Sequence, residues 1–508
     1  MTEFELKFEI PQANLRRVAT ALKDGKITRE RLQARYFDTE DGVLAKSGVV
    51  VRVRKEGRRW VQTAKAPTSG TLERLEHNVS LARGVKAGEP EVDLARHLGT
   101  PVGEAIAKAL NLKPGETYPD LAPLYGTDVQ RITRLVTSDG SVLELALDQG
   151  RIRSGDKSLP VCELEVELKK GQPQHAVALA RQWCAQYGLT LSSISKSMKG
   201  QRLRRGDTAG PAVSATAPVF GRDATGAQIV VAVLQSCLNQ IVPNASEIAA
   251  ASRDPDHLQP DHVHPDHVHQ LRVGIRRLRT ALRELDGLTD GFDLAWEPAL
   301  VHVFRKLGEF RDHGHLERNL QPKLLAAGGP HVNFAQIGKD IPDPAAAVRT
   351  PVFQDVLLSL IGFAHQPLPQ TASNGVSGRD AVKKVLRARL KKLRSQALKE
   401  GKKFADLSET DQHRVRKRLK RLRYLSEFSA PFFKSRKLNA FIAALKPVQE
   451  ALGLYNDELM ALQALRKLAI EDPRAWFGVG WLESRRLPNA QSCLNDIETF
   501  AKAQPFWR

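Results

Sequence analysis

The hydrophobic periodicity of this chain of 508 residues changes near residue 205, and that change constrains the fold more than any other feature. Before it, apolar residues recur mainly at every second position, as in strands with one buried face. From about residue 220 they recur at intervals of three and four, as on one face of a helix. We therefore predict a multidomain α+β protein: a β-rich domain over 1–205, a linker over 206–219 and an all-α domain over 220–505.

The same periodicities place individual elements. In the first domain they predict strands over 3–10, 49–54, 60–65, 141–147 and 161–168, and helices over 12–23, 102–110 and 175–187. In the second domain they predict helices over 229–241, 269–285, 381–398, 413–428 and 438–452. Residues 206–218 are small or turn-prone and lack periodicity, which is typical of a linker.

The net charge and the cysteine content indicate which class of partner the chain binds and in which cellular compartment we expect it. Lysine and arginine outnumber aspartate and glutamate by 77 to 57, for a net charge of +20, which favours a polyanionic partner. The four cysteines have no metal-binding or redox spacing, so we expect a reducing cytoplasm. The charged start and the lack of a long apolar run predict neither export nor membrane insertion.

Carboxylates recur at alternate positions of several predicted strands, so they share one face of each strand. The acids in this pattern are Glu3, Glu5, Glu144, Asp148, Glu163, Glu165 and Glu167. Like charges crowded inside a barrel would raise carboxylate pKa values and cost stability. Such a cluster requires cations.

Basic side chains, most of them away from the acidic strands, supply part of that charge. They are Lys7, Arg52, Arg54, Lys65, Arg74, Arg131 and Lys196, with Glu76 beside Arg74. Carboxylates that hold Mg²⁺ or Mn²⁺ and guanidinium groups that clamp phosphoryl oxygens would suit a strongly anionic substrate, with the metal polarising an attacking water. For one strand, a charged face in solvent is the simpler interpretation. The segregation of acids and arginines onto different strands favours a tunnel.

These residues resemble the CYTH family, the triphosphate tunnel metalloenzymes, over residues 1–205. The motifs are Glu3-Phe-Glu5-Leu-Lys7, Tyr36-Phe-Asp-Thr, Arg52-Val-Arg54, the acidic strands and Ser195-Lys196. The resemblance implies an eight-stranded antiparallel β tunnel with flanking helices. It also implies Mg²⁺ or Mn²⁺ on Glu3, Glu5, Asp148, Glu165 and Glu167, triphosphate on Lys7, Arg52, Arg54, Lys65, Arg74, Arg131 and Lys196, and catalytic groups Glu3, Glu5, Lys7, Glu76 and Glu144.

Members of the CYTH family include inorganic triphosphatases, thiamine triphosphatases and class IV adenylate cyclases. The strand Glu-Leu-Glu-Val-Glu-Leu, the later Ser-Ile-Ser-Lys and a second domain look most like bacterial inorganic triphosphatases, which split triphosphate into pyrophosphate and phosphate. A cyclase would need a base-recognition pocket, and the sequence has no clear signature of one. Metal-dependent triphosphate hydrolysis is therefore the expected activity of residues 1–205.

The helical half contains two copies of one pattern in the same order. A stripe of histidine and cations recurs: His269, Arg272, Arg276, Arg279 and Arg283 in the first copy, and His413, Arg416, Lys420 and Arg423 in the second. Leu307-Gly308-x-x-Arg-Asp likewise recurs as Leu452-Gly453-x-x-Asn-Asp. A solvated basic face would explain one such helix. Repetition at matching offsets favours a bound polyanion, which would relieve the repulsion along each stripe.

The repeated motifs resemble the CHAD family over about 220–505. The resemblance implies two pseudo-symmetric helical bundles that bind inorganic polyphosphate through the two stripes, in the cytoplasm and on polyphosphate granules. A non-catalytic granule-associated protein is the alternative function. Nucleic acid is disfavoured because no aromatic residue interleaves the His269 stripe. The repeated Pro-Asp-His of residues 255–267 is interpreted as a lengthened loop before the His269 helix rather than as a metal site.

Overall fold

The computed structural model describes residues 2–68, 70, 72–81, 90–113, 115–221, 223–251, 263–289, 291–334, 341–366 and 378–508. The chain forms two compact units. The first comprises residues 1–214, 238–270 and 348–366, and the second comprises residues 215–237, 271–347 and 367–508. The first unit thus contains helical segments from beyond the linker at 206–219, and the domain limits drawn from the sequence stay a prediction.

The strands of the first unit are β1 (Thr2–Glu9), β2 (Ile27–Asp38), β3 (Val50–Glu56), β4 (Arg59–Pro67), β5 (Glu73–Leu81), β6 (Ala122–Ser138), β7 (Ser141–Ser154), β8 (Lys157–Lys170) and β9 (Thr190–Leu191). Eight of them close into an antiparallel barrel in the order β5-β4-β3-β2-β6-β7-β8-β1, because β1 also pairs with β5. Closure removes the free sheet edges. The predicted eight-stranded tunnel is confirmed; β9 pairs with β1 outside the ring.

Helices flank the barrel and cover its apolar outer face. They are α1 (Leu15–Leu22), α2 (Val43–Lys46), α3 (Pro101–Ala109), α4 (Pro173–Tyr187) and α5 (Lys196–Arg205). On β8, Leu164 and Val166 are fully buried on the side opposite the glutamates. Val102 and Ile106 of α3 join a cluster that includes Val51 of β3. This outward packing leaves the charged positions to face the tunnel, as the alternation predicts.

Every described element after residue 205 is helical. The longer helices are α6 (Gly226–Ala251), α7 (Pro265–Glu284), α8 (Trp296–His315), α9 (Gln321–Ala326), α10 (Pro344–Arg349), α11 (Pro351–Ala364), α12 (Arg379–Gly401), α13 (Glu409–Phe428), α14 (Ser435–Leu468) and α15 (Ala475–Ala501). The two basic stripes lie on α7 and α13, and the two Leu-Gly motifs lie on α8 and α14. The predicted helical duplication is therefore carried by corresponding helices.

Several helices differ from the sequence-based expectations. Helix α7 begins at Pro265, so the third Pro-Asp-His is its first turn and not part of a loop; proline fits a first helical position because it needs no N–H partner there. Residues 252–262, which hold the other two repeats, lie outside the described residues. Helix α14 runs through Pro447 to residue 468, well beyond the predicted end.

Helix α6 is also longer than predicted. Among the described helices it alone has the length and hydropathy of a membrane span, and 61% of its most apolar window is buried inside the protein. Core helices have the same composition, so the helix is weak evidence for a membrane.

Candidate active site and cationic cluster

The barrel encloses a cavity of about 430 Å³. It is lined by residues that the sequence assigns to the tunnel: Glu3, Glu5, Lys7, Arg52, Arg54, Lys65, Arg74, Glu76, Arg131, Glu144, Asp148, Glu165, Glu167 and Lys196. Glu163, which shares their alternation, is not among the lining residues. Glu30, Glu56 and Lys169 line it as well, although the sequence did not single them out. The structure thus brings the predicted acids and bases into one space; their individual roles stay predictions.

Strand register places acids opposite bases. Lys7 on β1 lies across from Glu165 on β8, and Arg131 on β6 lies across from Asp148 on β7. In the antiparallel ladder, directly opposed residues project to the same face. Many tunnel carboxylates therefore meet a side-chain cation, and the crowding inferred from the sequence is relieved in part by ion pairs within the chain.

Arg131 is the centre of one such group. Its guanidinium donates to Asp148 Oδ1 at 2.7 Å and Oδ2 at 2.6 Å, and it also pairs with Glu165. Asp148 is completely buried. Burial raises the pKa of Glu165, but Lys196 and Arg131 outweigh it and hold that pKa well below the usual range. Glu165 is thus an anion at any pH near neutrality.

Lys196 and Lys199 enter the tunnel wall from α5. Lys196 Nζ lies 2.5 Å from Asp148 Oδ2, 2.5 Å from Glu163 Oε1 and 2.8 Å from Glu165 Oε1. Lys199 Nζ contacts Glu163 Oε2 at 3.1 Å and Glu9 Oε1 at 2.7 Å. Burial raises the pKa of Glu163, but the two lysines together lower it to about 2.

Helix α5 is held against the barrel through Tyr125, and its first turn is capped by Ser195. Tyr125 on β6 exchanges a hydrogen bond of 2.8 Å with the Ser197 hydroxyl, and Ser195 caps the helix by accepting from the Met198 N–H. Gly200 lies so close to the Tyr125 ring that a Cβ there would be 2.2 Å from it. This close approach fixes where Lys196 enters the tunnel.

Lys65 joins two further acids. Its ammonium contacts Glu3 Oε2 at 2.5 Å and Glu76 Oε2 at 3.0 Å. Burial raises the pKa of Glu3, although Lys65 opposes this shift. Burial also acts to raise the pKa of Glu76, but Lys65 and a hydrogen bond from Glu3 outweigh it, so that the pKa of Glu76 is lowered. The proton of this pair therefore resides on Glu3.

Three carboxylates have the geometry of a divalent metal site. Oxygens of Asp148, Glu163 and Glu165, all buried, lie within 4.8 Å of one another, and within the described ranges no other group of three metal-binding side chains does so. Hard oxygen ligands suit Mg²⁺ or Mn²⁺. The predicted ligands Glu3, Glu5 and Glu167 line the same cavity but are not in this trio. Glu163 was not among the predicted ligands, although it begins the Glu163-x-Glu165-x-Glu167 alternation that signals it.

The opposite part of the lining suits an anion. The Arg52 Nε is buried and has no hydrogen-bond partner among the described residues, and the Tyr36 hydroxyl holds the same guanidinium by a hydrogen bond. Tyr36 itself is fixed by stacking on Tyr125, with ring centroids 4.8 Å apart. An N–H that is buried and unsatisfied costs free energy, which a phosphoryl oxygen would recover.

The second unit contains a cationic cluster, formed by Arg272, Arg276, Arg311, Arg416 and Lys420. Burial, then the charges of Arg276 and Arg416, lower the pKa of Lys420 to about 6. Burial and three arginines likewise lower the pKa of Arg272 to about 9. Asp312 and Asp457, which pair with Arg311 at 2.9 and 3.1 Å, offset only part of this charge. Residues from both copies of the repeated motif thus meet in one group.

Of the remaining stripe residues, His413 adjoins this cluster, because burial, Lys417 and the cluster members Arg416 and Lys420 lower its pKa. Arg279 and Arg283 both pair with Glu297, and Arg423 pairs with Glu427. His413 contacts Asn456 Oδ1 at 3.2 Å, and His269 lies in the first unit. Arg311 is a member that the sequence did not propose, although it belongs to the repeated Leu-Gly motif.

Comparison with known proteins agrees with this geometry. Residues 1–200 match the CYTH domain, and residues 232–466 match the CHAD domain. An inorganic triphosphatase of Haemophilus influenzae is 32% identical over 173 residues, which cover 33% of this chain and 44% of that protein. The chain thus spans less than half the length of the curated relative that it matches.

Solved structures are similar to each half. A CHAD domain from the plant Ricinus communis has 24% identity and a TM-score of 0.48, and the match covers 58% of this chain and 98% of that one. An adenylyl cyclase candidate from Hippeastrum, described as having a dominant triphosphatase activity, has 16% identity and a TM-score of 0.27, covering 40% of this chain and 96% of that one. The chain therefore contains a CYTH domain over residues 1–200 followed by a CHAD domain over residues 232–466.

Proposed function

We propose that the tunnel hydrolyses inorganic triphosphate to pyrophosphate and phosphate with Mg²⁺ or Mn²⁺, and that the CHAD domain binds inorganic polyphosphate. The observation that carries the first part is the composition of the cavity. Asp148 and Glu165, two members of the buried carboxylate trio, line the same space as a guanidinium with an unsatisfied buried N–H. The similarity to an inorganic triphosphatase supports the same substrate.

In this mechanism the basic residues bind and orient the phosphate chain. Arg52, Arg54 and Lys65 offer donors from one side of the barrel, and Arg131 and Lys196 offer them from the other. Guanidinium groups suit phosphoryl oxygens because they donate two parallel hydrogen bonds. Positioning and charge stabilisation supply most of the rate in phosphoryl transfer, so a fixed ring of cations is the main requirement.

The carboxylates supply the second requirement. Asp148, Glu163 and Glu165 would hold the divalent ion, with Glu3, Glu5 and Glu167 as further ligands from the same cavity. A bound ion would neutralise phosphate charge and lower the pKa of an attacking water. Because Glu165 stays ionised near neutral pH, it is ready to act as a ligand without losing a proton.

Substitution of the carboxylates tests the proposal. Glu165→Gln and Glu5→Gln should each lower metal-dependent phosphate release from triphosphate by roughly 100-fold or more, since a metal supplies several kcal/mol at about 1.4 kcal/mol per tenfold. Glu104→Gln, an exposed residue of α3, is the matched control and should retain full activity. A folded wild-type chain inert with both Mg²⁺ and Mn²⁺ would favour the non-catalytic binding protein instead.

A substrate panel separates the related activities. Charged and hydroxyl side chains dominate the cavity lining, and its apolar members are few, among them Leu32, Val50 and Val129. A nucleobase or a thiamine ring would therefore find little apolar surface. We expect triphosphate to be hydrolysed faster than thiamine triphosphate, and ATP to yield no cyclic product.

For the CHAD domain, the cationic cluster supports polyphosphate binding. The Nε atoms of Arg272, Arg276 and Arg416 are buried and lack hydrogen-bond partners within the part of the chain that the structure describes. A polyphosphate chain would supply both the missing acceptors and the missing negative charge. The same proposal places the protein in the cytoplasm, on polyphosphate granules, and the four free thiols are consistent with a reducing compartment.

A further inference from the structure

Lys196 occupies the centre of the carboxylate trio. Its ammonium contacts one oxygen each of Asp148, Glu163 and Glu165, at 2.5, 2.5 and 2.8 Å. These are the same three side chains whose oxygens are close enough together to hold a divalent ion. A lysine of the chain and a metal ion therefore have the same set of partners.

The two cations exclude each other. An ammonium and a divalent ion within a few ångströms would repel strongly, because the trio is buried and water screens little there. Each also needs the oxygens that the other contacts. Occupation of the trio by metal thus requires Lys196 to leave it.

The surrounding residues allow Lys196 to leave without stranding a buried charge. Glu163 keeps Lys199 at 3.1 Å, and Arg131 keeps its pairs with Asp148 and Glu165. Lys199 is anchored in addition by Glu9, at 2.7 Å. Once it leaves the trio, Lys196 needs another anion as its partner. A phosphate chain in the cavity, which Lys196 lines, would be such an anion.

We propose that Lys196 is an internal cation that keeps divalent ions out of the Asp148, Glu163 and Glu165 trio until triphosphate draws its ammonium away. The inference rests on the proposed function, since it assumes that metal and triphosphate share the tunnel. Its consequence is that metal binds weakly alone and tightly together with the phosphate chain. The tunnel is thereby protected from loading with metal when no substrate is present.

The decisive experiment measures Mn²⁺ binding to the full-length chain by electron paramagnetic resonance, without any phosphate. Lys196→Met should bind Mn²⁺ about ten-fold or more tightly than the wild type, because one unit of competing positive charge is gone. Lys199→Met is the matched control: it removes the same charge from the same helix but contacts only Glu163 of the trio. It should raise the affinity much less.

Equal Mn²⁺ affinity in Lys196→Met and the wild type overturns the inference, and so does an equal rise in the Lys199 variant. Should Lys196→Met fail to fold, Lys196→Gln gives the same comparison, because its amide can still donate to the carboxylates. Adding the imido analogue of triphosphate, which resists hydrolysis, should tighten Mn²⁺ binding in the wild type far more than in the Lys196 variant. An inactive wild type would defeat the proposed function and leave this phosphate-free titration interpretable.

Discussion

Two arginine–aspartate pairs of the barrel are both bidentate but differ in their exposure to solvent. Arg131 and Asp148 lie in the tunnel, with the Asp148 side chain 1% exposed. Arg31 and Asp128 lie on the outside, with side chains 57% and 35% exposed. Removing one partner of a buried pair strands the other charge, whereas water replaces the partner at the surface. The two pairs should therefore differ in what they contribute to stability.

Replacing Arg131 tests this difference. Arg131→Met should lower the free energy of unfolding, measured by urea denaturation, by about 3 kcal/mol, because Asp148 and Glu165 lose a buried counter-ion. Added Mn²⁺ should restore part of the loss. Arg31→Met should change stability little. Similar losses in both variants would show that the tunnel is more hydrated than its burial indicates.

The lowered pKa of Lys420 predicts a pH dependence for the proposed polyphosphate binding. With a pKa of about 6, it is mostly uncharged at neutral pH, and a bound polyanion favours its charged form. We expect polyphosphate affinity to rise as pH falls from about 8 towards 6, and binding near pH 7 to take up a proton. Calorimetry in buffers of different ionisation enthalpy measures this uptake.

Proton uptake by Lys420 must be distinguished from proton uptake by His413. The pKa of His413 is lowered by burial and by nearby cations, so it too can gain a proton on binding. Lys420→Met should remove most of the proton uptake, and His413→Gln should remove less. Undiminished proton uptake in the Lys420 variant would show that another residue takes up the proton.

Among the elements, α5 has a steric constraint that a single substitution can test, because its backbone touches the Tyr125 ring at Gly200. Gly200→Ala should push the helix outward and destabilise the protein by about 1–3 kcal/mol, the usual cost of overpacking. Displacement of Lys196 should also raise KM for triphosphate. Thermal unfolding and steady-state kinetics give both readouts.

Gly480 on α15 is the control for this substitution. A Cβ there meets no atom within 4 Å, so Gly480→Ala should stabilise its helix by about 0.5–1 kcal/mol through helix propensity alone. A Gly200 variant that behaved in the same way would mean that α5 is not held by the close approach.

For the whole molecule, we expect the two activities to be separable. Arg276→Ala combined with Lys420→Ala should abolish retention on immobilised polyphosphate, since both residues lie in the cationic cluster. Hydrolysis of soluble triphosphate should stay within about two-fold of the wild type, because neither residue lines the tunnel cavity. Glu165→Gln should have the opposite pattern. Loss of both activities in a folded double variant would contradict this division.

Salt dependence gives an independent check on the same molecule. Binding of a linear polyanion releases counter-ions, so affinity should fall steeply with salt, and the slope should become shallower by about one for each phosphate contact removed. A salt slope unchanged in the single variant Arg276→Ala would place the polyphosphate contacts outside the cationic cluster.

The sequence by itself determined the fold class and indicated most of the charged residues that line the tunnel, although it missed Glu30, Glu56 and Lys169. Alternation along β1, β3 and β8 placed Glu5, Arg54 and Glu165 on inward faces, because side-chain direction in a strand depends only on position along the chain. Strands β2, β5 and β6 were not predicted, since their alternation is obscured by charged positions on both faces. The periodicity also did not predict where helices end, and α14 runs to Leu468, beyond its predicted end.

Only the tertiary structure decided which charges meet. The pairing of Lys196 with Asp148, Glu163 and Glu165 depends on where α5 docks and on the register of β7 with β8, and neither follows from local periodicity. Arg311 lies in the cationic cluster, where it pairs with Asp457. Arg279 and Arg423 instead pair with Glu297 and Glu427. Electrostatic partners are set by distances across the fold, while periodicity records only neighbours along the chain.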